Sequence, residues 1–349
     1  MASSAEGKPM LVARYHNNKD VRIETAERPT IGDGDALVRV MSCGICGSDV
    51  MEWFRVPKSP RILGHELAGV VEVSRSDRLR RGDRVVIRNQ VPCGTCHACE
   101  SGHHSVCENC DEIEPGGMAE YVRVPRKVVE HGVWNLPDDL PFRAAALAEP
   151  LACTLHSQAL ARVRGRRCLV VFGCGVFGLL HLRVARLAGV RRIVAVESNE
   201  YRRKVAAEFG ASMVVGVDDD LVSAVQAVND GSLADVAIVA TGSPAGLDSA
   251  FKGVGRHGAV LLFGMPGPDA TTTLSVNQLF WRRELMLVSS YGPGNIPFSE
   301  PLRLMQNGSI DFDRLITHEL PLSDVQRGFE LVSRADNSLK VVLDIGGRR

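Results

Sequence analysis

Residues 168–189 read CLVVFGCGVFGLLHLRVARLAG, and this stretch decides the fold. CLVVF is an unbroken apolar run, the pattern of a strand buried on both faces. After it, Val176, Leu179, Leu180, Val184 and Leu187 recur at helical spacing. Between strand and helix stands G-x-G-x-x-G, as Gly173, Cys174, Gly175, Val176, Phe177 and Gly178. Strand, glycine turn and helix in that order make a cradle for a pyrophosphate. Gly173 permits the tight turn, Gly175 admits the phosphates to the backbone, and Gly178 lets helix and strand pack closely. The helix N-terminus presents its positive end to the anion. A purely structural glycine turn is the bland alternative, and the flanking elements favour a dinucleotide.

Working outward, RIVAVE is a second strand ending at Glu197, 19 residues beyond Gly178. A carboxylate there accepts hydrogen bonds from the adenosine ribose hydroxyls and repels a 2′-phosphate, so NAD is favoured over NADP. Arg202 and Arg203 lie close enough to bear on that choice. Arg202 is a candidate cofactor contact, and an exposed helix face is the alternative for both. YRRKVAAEFGA reads as a helix ended by Gly210, and MVVGV, ADVAIVAT, GAVLLFG and ELMLVSS continue the strand series. Alternating β and α elements with continuously apolar strands imply a parallel sheet covered on both faces.

The first 150 residues have a different rhythm. ALVRVMSCGI, ELAGVVEV, DRVVIR and MAEYVRVP are strand-like, separated by turn-like GDGDA and RGD. A compact, mostly β domain follows. At 349 residues the chain exceeds the roughly 250–300 at which single cores stop growing, so two domains are expected. Beyond Tyr291 the character changes again, and the closing strand KVVLDI is expected to pack back on the first domain. The divisions are therefore 1–155, 156–291 and a returning segment 292–349.

Lysine plus arginine equal aspartate plus glutamate at 41 each, which gives no electrostatic case for nucleic acid or an anionic membrane. MASSAEGKPM has neither a basic start nor an apolar h-region, and the apolar run from Cys168 to Leu180 is too short to span a bilayer. A cytoplasmic, reducing location is the expectation. There, ten cysteines point to metal ligation more than to cross-linking.

Four of them stand together as C-x2-C-x2-C-x7-C in PCGTCHACESGHHSVC: Cys93, Cys96, Cys99 and Cys107. Two residues between successive thiols turn consecutive sulfurs to one point, and the longer gap returns a fourth. That is a closed tetrahedral zinc site, structural because no position is left for water. A second group is scattered: CGICGSD at 43–49, GHE at 64–66 and AEPLAC at 148–153 supply a thiol, an imidazole and carboxylates. A catalytic zinc needs about three protein ligands and one open position. Taken singly, each of these motifs is more often core or surface than a ligand.

The ordered set GICGSD, GHE, GDRV, CGTCHACESGHHSVC, AEYVRVP, EPLAC, GCGVFG and KVVLDI resembles the zinc-containing medium-chain dehydrogenases, the alcohol and polyol dehydrogenase superfamily, over nearly the whole chain. EPLAC looks most like the sorbitol and polyol branch, where glutamate replaces a cysteine ligand. The resemblance implies a GroES-like mostly-β catalytic domain and a Rossmann domain, an α/β protein with its active site in the cleft between them. It implies one catalytic and one structural zinc, with NAD as cofactor. Cys46 would be the thiolate ligand and His65 the imidazole ligand, and Glu66 or Glu149 would complete the site directly or through water. Ser48 resembles the hydroxyl that passes the substrate proton on, and Asp49 the carboxylate that orients His65.

One departure stands out. Many relatives carry histidine two positions after that aspartate, and this chain has Met51. The outer proton path must then run through the ribose and water, or another side chain. Met51, Trp53 and Phe54 are expected as pocket wall or core, and Tyr291 as a substrate contact or core. The implied activity is hydride transfer between a secondary alcohol (a polyol, sugar or cyclitol, amino-substituted or not) and NAD. Threonine-type and simple alcohols are alternatives. Further rivals are an inactive nucleotide-binding regulator and a zinc-free reductase on the same scaffold. The family implies a homodimer or homotetramer acting on a small molecule.

Overall fold

The computed structural model describes residues 7–347, so most of the MASSAEGKPM start lies outside the described residues. The chain forms two compact units, Met1–Pro150 with Pro297–Arg349, and Leu151–Ile296.

The first unit is built on a seven-stranded sheet. Its main path runs Val133–Asn135, Arg84–Arg88, Glu66–Ser74, Ala36–Ile45, Lys340–Asp344 and Ile316–Pro321, with Tyr121–Val124 pairing the outer part of Ala36–Ile45. The long strand Ala36–Ile45 is the hub. Cys43 faces Leu67 across one edge, and Val342 faces Gly44 across the other. Val38, Val40, Cys43, Leu67, Ile87 and Leu343 pack into one buried cluster. Burying each aliphatic side chain of this size contributes about 1.5–3 kcal/mol. A three-stranded sheet of Asp20–Glu27, Pro9–Asn17 and Arg61–Ile62 lies beside it in the same unit. The helix Val325–Arg334 sends Phe329 onto Tyr15, ring centroids 5.5 Å apart. Neither the opening hairpin nor this helix is among the elements expected from the sequence.

The second unit is a six-stranded parallel sheet. The strand order is Met213–Val215, Arg192–Val196, Cys168–Phe172, Ala234–Val239, Val254–Leu262 and Met286–Ser289. This is the doubly wound order in which direction reverses beside the first strand, placing a ligand crevice at the strands' C-terminal ends there. Every residue of Cys168–Phe172 is buried, as its unbroken apolar run requires. The helix Val176–Leu187 buries Leu179, Leu180 and Val184, whereas Leu187, counted in the same stripe, is 44% exposed. Gly210 closes the next helix, Glu200–Glu208, with a left-handed φ of +104°. Among the described residues no helix is long and apolar enough to cross a membrane.

Candidate active site

Strand Ala36–Ile45 ends immediately before Cys46, so the first unit's hub strand delivers that thiol. Cys46 caps a short 3-10 turn, Gly47–Val50, and the turn folds Asp49 back under it. Asp49 Oδ2 accepts the Cys46 N–H at 3.0 Å. The Ser48 N–H approaches Cys46 Sγ at 3.5 Å. His65 and Glu66 come from the neighbouring strand and the residue before it, and Glu66 faces Gly44 in the register. Ligand atoms of Cys46, His65 and Glu66 converge within 4.8 Å of one another. Glu149, in the first turn of helix Ala148–Leu160, is outside that triplet but close enough for its charge to act on His65 and Lys340.

The electrostatics call for a cation. Burial opposes a charge on His65, yet Asp49, Cys46 and Glu149 outweigh it and lift the ring to about 10. Asp49 Oδ1 lies 3.6 Å from His65 Nδ1, so Nε2 is the ring nitrogen that would be left to a metal. Glu66 is fully buried; Oε2 is paired with the Lys340 ammonium, and Oε1 has no hydrogen-bond partner. A buried carboxylate oxygen without a donor is costly unless a cation approaches it. Counting Cys46 as the thiolate and His65 as the neutral imidazole that metals bind, so that a metal would replace the His65 proton, four anions (Cys46, Asp49, Glu66, Glu149) face two fixed cations, Arg55 and Lys340. The excess of two negative charges matches one divalent ion. Thiolate, imidazole and carboxylate are the donor set zinc takes.

The second cluster fits zinc by geometry as well. Sulfurs of Cys93, Cys96, Cys99 and Cys107 all lie within 4.8 Å of one another, and all four thiols are free. Cys93 and Cys99 sulfurs are 4.0 Å apart, and those of Cys96 and Cys107 are 3.8 Å apart. Tetrahedral Zn–S bonds of about 2.3 Å would set the sulfurs about 3.8 Å apart. Backbone N–H groups point at the sulfurs: Cys93 N to Cys107 at 3.2 Å, Cys96 N to Cys93 at 3.3 Å, and Asn109 N to Cys107 at 3.4 Å. The Thr95 and Cys96 N–H donors hold the Cys93 thiol down at about 6, while burial pushes Cys99 up to about 12. Four thiolates this close together would repel one another strongly, and a divalent metal at their centre would relieve that repulsion.

In the second unit the glycine turn is formed. Gly173 has φ +84°, and a Cβ at Gly178 would collide with the Gly173 carbonyl. At Gly175 a Cβ would meet only the Arg202 guanidinium, at 3.8 Å, so the space before the N-terminus of helix Val176–Leu187 is open to a ligand. Val176 opens that helix, and Phe177 packs on Phe263 with centroids 4.7 Å apart. Glu197 is buried at the end of strand Arg192–Val196. It accepts from Cys174 N at 2.6 Å, Asn199 N at 2.9 Å and the Ser198 hydroxyl at 3.2 Å. Arg202 and Arg203 are half-buried instead of lying on an exposed face, and Arg203 Nη1 reaches the Glu197 carbonyl at 3.5 Å.

Among the apolar candidates, Met51 and Phe54 are half-buried, Trp53 is 43% exposed, and Tyr291 is 60% exposed and so no part of a core. Two residues of the metal neighbourhood escaped the sequence reading. Lys340 opens the strand KVVLD, and a charge at the buried end of a strand whose other charge, Asp344, is only partly buried is the available signal. Arg55 sits seven positions after Ser48, and no periodicity marks its return to that turn.

The comparisons agree with this architecture. Residues 32–138 match the alcohol dehydrogenase GroES-like domain, and residues 177–307 match the zinc-binding dehydrogenase domain. An L-threonine 3-dehydrogenase of Pyrococcus horikoshii is 32% identical over 332 residues, 90% of this chain and 92% of that protein. A sorbitol dehydrogenase of Bacillus subtilis is 28% identical over 96% of this chain and 97% of its own length. An alcohol dehydrogenase from a Thermus species superimposes with a TM-score of 0.85 at 28% identity, covering 96% of this chain and all of that one. Fold and motifs thus define a two-domain zinc dehydrogenase scaffold. The chain belongs to the zinc-containing medium-chain dehydrogenase superfamily, as an oxidoreductase of its alcohol and polyol dehydrogenase family.

Proposed function

We propose that this enzyme transfers hydride between a secondary alcohol and NAD, with a polyol, sugar or cyclitol as substrate. The observation that carries the reading is the convergence of Cys46, His65 and Glu66 beside Ser48. Zinc held there would supply a Lewis acid for the hydroxyl oxygen, and NAD bound at the glycine turn would supply the hydride acceptor. The chain's own residues do the rest. Asp49 orients His65, Ser48 takes the hydroxyl proton, and Lys340 balances Glu66. Glu149 is the alternative third ligand to Glu66. Gly173, Gly175, Val176, Phe177 and Gly178 receive the pyrophosphate, and the Glu197 carboxylate disfavours a 2′-phosphate. A solved Sinorhizobium meliloti relative, 26% identical with a TM-score of 0.86, holds NADP, so the preference has to be measured.

Sorbitol and erythritol/L-threitol dehydrogenases among the relatives, the latter from Mycolicibacterium smegmatis at 29% identity, support a polyol. The threonine dehydrogenases support a β-hydroxy amino acid as the second reading. A homodimer or homotetramer fits the exposed Leu287 on the edge strand of the parallel sheet, Met286–Ser289, and the exposed Val276 and Trp281 in the segment before it. Ten free thiols fit a cytoplasmic location. The test is NAD+ reduction with D-sorbitol, erythritol, L-threitol, myo-inositol, L-threonine and 2-butanol, alongside zinc content. About two zincs per chain and turnover of a polyol are expected, with turnover lost and NADH binding kept in Cys46→Ser and His65→Ala. Full activity in either variant overturns the reading, and selective turnover of L-threonine replaces the polyol with the amino acid.

A further inference from the structure

The histidine that the motif leads one to expect on the proton path beyond Ser48 is Met51 here, which offers only a thioether and no donor. The Ser48 hydroxyl is instead contacted by a guanidinium. Arg55 ends the helix Glu52–Arg55, whose first turn is anchored by Arg55 N donating to Met51 O at 3.0 Å. Its side chain turns back over the 3-10 turn. Nε donates to Ser48 O at 3.0 Å, and Nη2 donates both to Ser48 Oγ at 3.0 Å and to Asp49 Oδ1 at 3.1 Å. The guanidinium carbon lies 4.8 Å from the Phe54 ring centroid, and the side chain is 13% exposed. Asp49 in turn bonds the Cys46 N–H and stands beside His65. One nitrogen therefore joins the hydroxyl to the carboxylate that orients the imidazole.

A hydroxyl has one hydrogen and two lone pairs, and a guanidinium can only donate. Arg55 therefore occupies one lone pair of Ser48 Oγ. It leaves the other lone pair to accept a proton and the hydrogen to be given up outward. Arginine cannot itself receive a proton, since it stays charged throughout the accessible pH range. Its contribution is direction. We propose that Arg55 is the positioning residue of the Ser48 hydroxyl, fixing it toward the reacting alcohol and tying its placement to Asp49. This rests on the role given to Ser48 above.

A purely structural Arg55–Asp49 ion pair is the competing account, and a double-mutant cycle separates the two. Arg55→Met, Ser48→Ala and the double variant are compared for kcat and KM with NAD+ and two probe alcohols, D-sorbitol and 2-butanol. Zinc content, thermal midpoint and a crystal structure of Arg55→Met are measured alongside. A loss of precise orientation should lower kcat about 10–100-fold in Arg55→Met, with the NAD+ KM and zinc content unchanged. In the Ser48→Ala background the same change should cost no more than about twofold. Added guanidinium ion should restore part of the rate, and Arg55→Lys should fall between. The crystal structure should show Ser48 in more than one rotamer, a readout that needs no substrate. Equal losses in both backgrounds, or an undiminished kcat with one Ser48 rotamer, overturn the proposal. If Ser48→Ala itself keeps full activity, the role given to Ser48 is what has failed.

Discussion

Lys340 neutralises Glu66 in the interior of the first unit, with side chains 4% and 0% exposed. The pair closes over Gly44, where a Cβ would overlap the Glu66 carboxylate. Lys340 Nζ also donates to Ile45 O at 3.2 Å. Burial alone would discharge this lysine, but Glu66, then Cys46 and Glu149, hold it protonated, above the ordinary lysine range. The last strand of the chain thereby sets the charge balance of a site whose other members lie before residue 150.

Removing one partner from such a pair strands the other. In the zinc-free protein Lys340→Met should cost about 3–5 kcal/mol, because Glu66 stays buried without its counter-ion. Glu66→Gln in the same chain should return most of that stability, since two neutral groups need no compensation. Urea unfolding of wild type, single and double variants gives the comparison. A Lys340→Met protein as stable as wild type would show that the site is held by something else.

How much of this was legible depends on distance along the chain. The glycine turn and the four-cysteine loop are local, with spacing that is itself the geometry, so Gly173–Gly178 and Cys93–Cys107 could be placed from residues alone. Lys340 and Glu66 are brought together by pairing of strands from opposite ends of the sequence, and no local pattern encodes that register. Arg55 reaches Ser48 by a side-chain reversal over a four-residue helix too short to show a period. The hairpin Pro9–Asn17 and Asp20–Glu27 carries charges on its strands, which hid its alternation.

The four-cysteine loop should behave as a folding element with no part in the chemical step. Inside the loop the regular structure is short, one helix of four residues, His97–Glu100, and one 3-10 turn, His104–Val106, while the strand pair Gln90–Val91 and Asp111–Glu112 closes its base. Cys96→Ser should reduce zinc to about one per chain and lower the thermal midpoint, while the turnover of the remaining folded protein stays near that of wild type. Zinc analysis with scanning calorimetry checks this. Normal stability combined with lost activity would move the cluster into the reaction.

Glu197 has two tasks that one substitution can separate. Its Oε2 holds the Cys174 N–H of the glycine turn at 2.6 Å, and under the function proposed above its charge would face the adenosine ribose. Glu197→Gln keeps an acceptor but removes the charge, so discrimination against NADP+ should relax with little change in the KM for NAD+. Glu197→Ala also frees the turn, and should raise both Michaelis constants about tenfold, the cost of about one charge-assisted hydrogen bond. Steady-state kinetics with both dinucleotides decides. An unaltered NAD+/NADP+ ratio in the Gln variant would place the discrimination elsewhere, with Arg203 the next residue to test.

Away from both metal clusters, Asp35 fastens the start of the hub strand and gives the fold a defined response to acid. Its carboxylate accepts from Gly32 N at 2.9 Å, Arg123 Nε at 2.7 Å and Arg126 N at 2.9 Å, with the side chain 5% exposed. Burial pushes this carboxyl up, but the Gly32, Arg123 and Arg126 donors outweigh it and hold it below the usual aspartate value. A folded value below the unfolded one, about 3.9, means that the ionised form binds the native state better. The stabilisation is therefore complete above about pH 5 and is lost as the pH falls through the unfolded value toward the folded one. Asp35→Asn should cost about 1–3 kcal/mol at neutral pH, and its stability should fall less steeply than that of wild type between about pH 5 and 3. Urea midpoints taken across that range for both proteins test the sign. Parallel curves would mean that Asp35 titrates alike in the folded and unfolded chain, and that its three donors contribute nothing through its charge.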